Sequence, residues 1–286
     1  MVKTDVRQTV AAVLVTHNRA DKLRQALTAI GQQQHPVDHL IVVDNASSDN
    51  TPQLLDEWAA KQAALKVLKL PDNLGGAGGF AEGIKLAYQT GADFLWLMDD
   101  DCYPYVDALE QLLNTWHNFE YREGLSPGFV CSLVKWHDQN CEMNIPEPTA
   151  DFARYFESGE SHVIAVEHAS FVSVLFARNR VNEVGLPIRE FFIWFDDVEY
   201  TSRLTAHNHP GLLALDSKVQ HDMPHNKGAD FGLVSHDTIW KYRFGARNKS
   251  YYYRQQGLIP WLEYWVFVNH RLNQNRVAWR WRFAIN

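Results

Sequence analysis

Four apolar runs of strand length, each ending in a small, polar or flexible cluster, constrain this chain more than any other feature. The runs are residues 10–16, 39–44, 65–70 and 94–98. Between them, residues 20–34, 51–64 and 78–88 read as helices. Leu23, Leu27 and Ile30 recur at helical spacing, and Pro52 stands in a first turn, where its missing N–H costs nothing. Strands separated by helices of this length pair in parallel through right-handed crossovers. The pattern predicts an α/β fold, a mostly parallel sheet flanked by helices. Ligands of such open sheets bind beyond the carboxyl ends of the strands.

The residues just after each run share a theme. Thr16-His17-Asn18-Arg19 follow the first, Asp44-Asn45-Ala46-Ser47-Ser48-Asp49 the second, and Asn73-Leu74-Gly75-Gly76-Ala77-Gly78-Gly79 the third. Each alone reads as a turn; together on one sheet edge they make a cradle for phosphate and nucleoside. The fourth run, Phe94-Leu95-Trp96-Leu97-Met98, leads into Asp99-Asp100-Asp101. Side chains alternate along an extended chain, so Asp99 and Asp101 should leave on one side and Asp100 on the other. Two converging carboxylates suit a hard cation, Mg²⁺ or Mn²⁺, and make an Asp-x-Asp metal motif. The competing reading is a solvated acidic turn, but like charges behind a buried strand repel without a counter-ion.

The second half changes character. Residues 101–117 read as a helix and 128–135 as a strand, whereas 137–162 lack periodicity and hold Pro146 and Pro148. One or two strands are expected in 163–177, a helix after Asp196-Asp197 to about His207, and a strand at 212–215. A loop with His221, His225 and Lys227 follows over 220–235, then a helix over 237–256. Hydrophobic residues at 46% and charged ones at 21% argue against disorder, and a net charge of -7 leaves no footprint for nucleic acid. Cys102, Cys131 and Cys141 fit neither a disulfide framework nor a zinc spacing. The start of the chain lacks the pattern of a secretory leader, and no stretch reaches the roughly 18 apolar residues of a membrane span. A cytoplasmic location is expected, with contact to the inner face of a membrane left open.

In their order, these motifs resemble those of the family 2 glycosyltransferases, inverting enzymes of the GT-A fold that use nucleotide-sugars. The matching pieces are Val15 to Arg19, Val42 to Asp49, Asn73 to Gly76 and Trp96 to Asp101. Phe191-Phe192-Ile193-Trp194-Phe195-Asp196-Asp197-Val198-Glu199 is similar to that family's acceptor-side acidic motif, and Arg247-Asn248 to its late Arg-Asn pair. The likeness spans roughly residues 8–255 and is strongest to bacterial galactofuranosyltransferases and rhamnosyltransferases of cell-wall or capsular polysaccharide biosynthesis. It implies a catalytic domain over 1–256, with a nucleotide-sugar half of about 1–125 and an acceptor half of about 126–256. Residues 257–286 then form an aromatic, basic helical extension.

The resemblance implies displacement at the anomeric carbon of a UDP- or dTDP-linked sugar by a hydroxyl of a glycan or lipid-linked saccharide. It needs a dication beside the leaving diphosphate and a carboxylate to take the acceptor proton. Asp99 and Asp101 are the metal candidates, with His221 as a third ligand or else a structural histidine; Asp100 turns toward the ribose. Asp197 is the candidate base and Asp196 its alternative, unless both merely cap the next helix. Asp44 resembles the reader of the base edge. Thr16 and Arg19 are placed near base and diphosphate, and Asn73 and Gly76 near donor atoms. Trp194 either stacks on the acceptor sugar or packs in the core. Arg247 reaches the diphosphate or acceptor, or is a surface cation.

Rival readings exist. Gly76-Ala77-Gly78-Gly79-Phe80-Ala81 satisfies a loose dinucleotide-binding pattern, yet follows the third strand rather than the first. A sugar nucleotidyltransferase would want a basic glycine-rich first turn, and a catalytically inactive saccharide-binding module would have no use for the intact acids. Residues 258–286 carry Trp261, Trp265, Phe267, Trp279, Trp281 and Phe283 with Arg271, Arg276, Arg280 and Arg282. This composition suits a helix lying in a membrane interface, or one packed on the core or on a second copy in a homo-dimer.

Overall fold

The computed structural model describes residues 7–274 apart from 138, 142, 156–161, 206, 207, 227 and 229. Its first half runs β1 (Val10–Thr16), α1 (Ala20–Gly31), β2 (His39–Asp44), α2 (Thr51–Ala59), β3 (Leu65–Lys69), α3 (Gly75–Gln89) and β4 (Phe94–Asp99). The expected alternation is therefore present. Both α1 and α2 stop earlier than their periodicity suggested, because the chain must turn to feed the next strand; the Ala64 carbonyl, for instance, already accepts the Leu40 N–H. The second half holds β5 (Cys102–Pro104), α4 (Ala108–Glu123), β6 (Phe129–Trp136), β7 (Gln139–Asn140), β8 (Val163–Val166) and β9 (Val172–Ala177). It continues with α5 (Arg180–Val184), α6 (Asp196–Leu204), β10 (Gly211–His221), α7 (Ile239–Gln256) and α8 (Leu258–Gln274).

One sheet carries everything, in the order β3-β2-β1-β4-β9-β6-β10-β5, with β7 beside β6 and β8 beside β10. The pairs β1–β2, β1–β4 and β2–β3 are parallel, as expected, and so is β6–β10; β9 pairs antiparallel with β4 and β6. The strand order reverses beside β1, which opens the crevice at the carboxyl ends of β1 and β4. Strand side chains divide between two cores. Leu14, Val42, Trp96 and Leu23 pack on the α1 and α4 side; Val13, Ile41, Leu95, Phe80 and Ile84 pack on the α3 side. Those alternating residues are the period-2 signal made physical.

Three expectations are corrected. The stretch after the acids is not one helix: Cys102–Pro104 pairs antiparallel with Val219–His221, and the helix begins only at Ala108. The glycine-rich segment is not a loop, because α3 starts at Gly75. Gly79 is required there, since a Cβ would lie 2.4 Å from Val15 Cγ1; this glycine lets α3 settle directly on β1. The strand expected at 212–215 extends to His221, held by β6 on one side and by β8 and β5 on the other across a bulge between Ala214 and Lys218. His221 thus ends a strand rather than riding in a loop. His207 and Lys227 lie outside the described residues.

Candidate active site

The carboxyl ends of β1 and β4, the start of α3 and the segment before α6 enclose a cavity of about 640 Å³. That volume suits a small-molecule ligand of nucleotide-sugar size. Thr16, Arg19, Asn73, Gly76, Asp99, Asp100, Asp101, Trp194, Asp196, Asp197 and His221 all line it. Two of the residues singled out from sequence do not. Asp44 is buried and accepts the Ser47 N–H at 2.9 Å, and Arg247 folds over the Phe244 ring and onto Asn248.

The acidic triplet does not alternate. The strand ends at Asp99 and the chain turns at once, so all three acids face the cavity. Thr16 donates to Asp100 Oδ2 at 2.7 Å, and Arg19 Nη1 donates to Asp100 Oδ1 at 3.1 Å and Asp101 Oδ2 at 2.7 Å. Lys22 stands 3.7 Å from the same Asp101 oxygen. His221 Nε2 lies 3.2 Å from Asp101 Oδ1, while its Nδ1 lies 2.8 Å from Asn144 Oδ1. An amide oxygen can only accept, so Nδ1–H donates to Asn144 and fixes the ring with Nε2 aimed at Asp101.

Donor atoms of Asp99, Asp101, Cys102 and His221 all lie within 4.8 Å of one another. Burial, then the charges of Asp101 and Asp100, hold Asp99 well above the usual carboxylate range. Asp100 is pushed up to about 6, burial outweighing Arg19 and Thr16. Asp101 sits below its ordinary value; burial acts upward but is outweighed by the hydrogen bond and charge of His221 and by Arg19 and Lys22. The Cys102 thiol is raised well above its usual range by burial and by Asp101 and Asp99, so it stays protonated and outside any ligand set. Two carboxyl groups and one imidazole remain, and the raised Asp99 is a group whose ionisation a bound cation would favour. Such a set fits Mn²⁺ or Mg²⁺.

The opposite wall is the segment Phe191 to Asp197. Phe192, Trp194 and Phe195 hold φ of 63°, 66° and 74°. Left-handed backbone at bulky residues costs on the order of 1–3 kcal/mol each and survives only when the surroundings over-determine it. Asn248 does so here. It is fully buried on α7, and its amide nitrogen donates to the carbonyls of Phe191, Ile193 and Trp194 at 2.9, 3.1 and 2.8 Å. The Trp194 ring stands edge-on to Tyr242, centroids 5.1 Å apart, packing against the cluster around Tyr242 while it lines the cavity.

This arrangement aims Asp196 and Asp197, the first two residues of α6, into the cavity. Asp197 accepts the Val198 N–H at 2.8 Å. Burial raises its pKa, offset by that bond and by His168 and Ser170; burial and the charge of Asp197 push Asp196 up to about 8. Both acids are thus raised, and Asp196 holds its proton at neutral pH. The two acids open the helix without capping it, since the N-cap position is Phe195 and no side chain caps it, and they face the cavity.

Sequence reasoning missed the residues that tie the walls together. Asn45 donates to the Gly75 carbonyl and accepts the Leu74 N–H, both at 2.8 Å, and Asn73 accepts the Gly75 N–H at 2.8 Å. The Phe192 carbonyl in turn accepts the Ala77 N–H at 3.2 Å. Lys22 was within reach, one helical turn after Arg19; Asn45 and Asn144 carried no periodic signal. Gly75 is the pivot: its φ is +70°, and a Cβ would lie 2.0 Å from the Phe192 oxygen. Gly75→Ala is expected to cost roughly 3 kcal/mol, a fall of about 5–10 °C in Tm. Gly76→Ala, with nothing within 4 Å of its Cβ, should leave Tm unchanged. Thermal unfolding of the two variants checks this.

A family model described as glycosyl transferase family 2 matches residues 11–122. The chain is 32% identical over 291 residues to galactofuranosyltransferase GlfT1 of Mycolicibacterium smegmatis, covering 95% of this chain and 92% of that protein. Identity to galactofuranosyltransferase GlfT1 of Mycobacterium tuberculosis is 29% over 303 residues, covering 96% and 93%. Among solved structures, GalNAc-T7 with UDP, GalNAc and Mn²⁺ matches with a TM-score of 0.63 at 14% identity, over 86% of this chain and 50% of that one. The mannosyltransferase PcManGT of Pyrobaculum calidifontis, in complex with GDP-Man and Mn²⁺, gives 0.58 at 15% identity over 98% and 73%. These structural likenesses establish the fold, a GT-A architecture with a helical carboxyl-terminal region.

Proposed function

The chain belongs to glycosyltransferase family 2, and from that premise we propose that it moves galactofuranose from UDP-galactofuranose to a hydroxyl of a cell-wall, capsular or lipid-linked glycan. One observation carries this reading. A single cavity joins a metal-compatible acidic cluster at the strand ends to the Asp196–Asp197 carboxyl pair on the facing wall. The nucleotide half, about 1–125, supplies the first wall, and the acceptor half to about residue 256 the second. The proposed setting is the cytoplasmic face of a membrane; no described helix is long and apolar enough to cross one.

In the proposed mechanism Thr16, Arg19, Asn73 and Gly76 cradle the nucleotide and diphosphate, and Asp100, held by Thr16 and Arg19, lies toward the ribose. Asp99, Asp101 and His221 would hold Mn²⁺ or Mg²⁺, which when bound supplies Lewis-acid stabilisation of the diphosphate. Trp194 offers a face for the acceptor sugar. The acceptor oxygen bonds to the anomeric carbon as the bond from that carbon to the phosphate oxygen breaks, and the electron pair leaves with UDP. The hydroxyl proton passes to the Asp197 carboxylate, and the anomeric configuration inverts. Asp44 is buried outside the cavity lining, and Arg247 is exposed on α7 with its guanidinium on Asn248.

A donor panel tests the reading. With Mn²⁺ and an extract of lipid-linked glycans, UDP-galactofuranose should be consumed far faster than UDP-galactose, UDP-glucose or dTDP-rhamnose, with UDP as the product. Preferential release of dTDP from dTDP-rhamnose would move the donor to rhamnose. Pyrophosphate release from a nucleoside triphosphate and a sugar phosphate would instead indicate a nucleotidyltransferase.

A further inference from the structure

Among the described residues, only one face of the helix α8 has a partner. Tyr264, Val268 and Leu272 pack with Tyr242, Ala246 and Phe231 against α7 and the segment before it. Trp261 and Trp265 are tied to α7 as well, both donating to Ser250 Oγ, at 2.8 and 3.2 Å. The outward face is mostly apolar too, with Glu263 and His270 on it. Leu258, Ile259, Leu262, Val266 and Phe267 are 56%, 70%, 49%, 71% and 54% exposed. At 100° per residue they share one half of the helix surface, opposite the packed residues. Contiguous apolar surface of this kind marks an interaction site.

Charge identifies the occupant. Residues 239–286 contain nine Lys or Arg and a single acid, Glu263, in a chain whose net charge is -7. The remaining residues hold 18 basic side chains against 33 acids. Past Gln274 the sequence continues with Arg276, Trp279, Arg280, Trp281, Arg282 and Phe283, residues that lie outside the described structure. Apolar and aromatic side chains amid arginines are the composition of a helix seated in the headgroup region of an anionic bilayer. Two copies of so basic a region would repel one another, whereas an anionic surface attracts it.

We propose that the outward face of α8, with the basic residues around and beyond it, docks this protein on an anionic membrane surface. The helices α7 and α8 are joined at Gly257 and pack as a hairpin, so α8 runs back along α7 toward Trp240, which lines the cavity. Docking through α8 therefore sets the cavity at a fixed height over the surface, where a lipid-linked saccharide would be presented. The proposal concerns a face that the cavity does not use, and it stands or falls separately from the donor assignment.

Vesicle co-sedimentation tests it. The full chain should pellet with vesicles of phosphatidylcholine and phosphatidylglycerol and stay in solution with phosphatidylcholine alone. Leu262→Glu/Val266→Glu/Phe267→Glu should weaken partitioning at least about tenfold without moving Tm. Arg276→Gln/Arg280→Gln/Arg282→Gln should weaken it on the order of a hundredfold at low salt. Failure of the unaltered protein to pellet, or equal pelleting of the triple-Glu variant, would overturn the proposal. So would a dimer in sedimentation velocity that the triple-Glu substitutions split while vesicle binding is unaffected; the face would then belong to a second copy.

Discussion

Asp197→Asn is expected to lower transfer by roughly a thousandfold, the scale of a general base, while UDP affinity stays within about twofold. The amide fills the same volume and still accepts the Val198 N–H, so α6 keeps its start. What disappears is the carboxylate that takes the acceptor proton in the proposed mechanism. The measurement is single-turnover transfer beside UDP titration by calorimetry. Near-normal turnover would hand the role to Asp196, which is pushed up to about 8 and so holds a proton at neutral pH that a base must lack. The profile of the unaltered enzyme should rise with pH as Asp197 ionises, because only the charged form can accept.

Asp99→Asn/Asp101→Asn is expected to abolish Mn²⁺-dependent donor binding. Binding to the folded state raises stability by mass action, by about 2.7 kcal/mol at a ligand concentration one hundred times Kd. UDP with Mn²⁺ should therefore raise the Tm of the unaltered protein by several degrees and leave that of the double variant where it was. UDP alone should act nearly alike on both, because Thr16 and Arg19 keep their bonds to Asp100. Asn144→Ala separates orientation from ligation. It removes the acceptor that keeps the proton on His221 Nδ1 and should weaken Mn²⁺ about 10- to 100-fold, read by Mn²⁺ electron paramagnetic resonance. Equal Mn²⁺ affinity in the double-Asn variant would sink the ligand assignment.

Much of this was legible from residues alone. The period-2 apolar runs and the intervening helices have local causes, and β1 and β2 lie where the pattern put them. The polar clusters after each strand converge because the carboxyl ends of parallel strands share one edge. Errors arose wherever pairing across the chain overrode local signal. Residues 102–104 were read with the helix that follows because their partner, 219–221, lies more than a hundred residues away. The same pairing carries His221 to the end of a strand and delivers its ring to Asp101.

The sequence by itself determined the α/β class, the strand-end location of the ligand cavity and the acids that furnish it, since these follow from side-chain periodicity and the chemistry of neighbouring residues. Only the tertiary structure decided that all three acids face one side, that His221 joins them with Nε2 aimed at Asp101, and that Asn248 and Gly75 hold the strained wall bearing Asp197. Each of those depends on a backbone group or side chain brought close by the fold from far along the chain. Proximity of that kind leaves no periodicity to read.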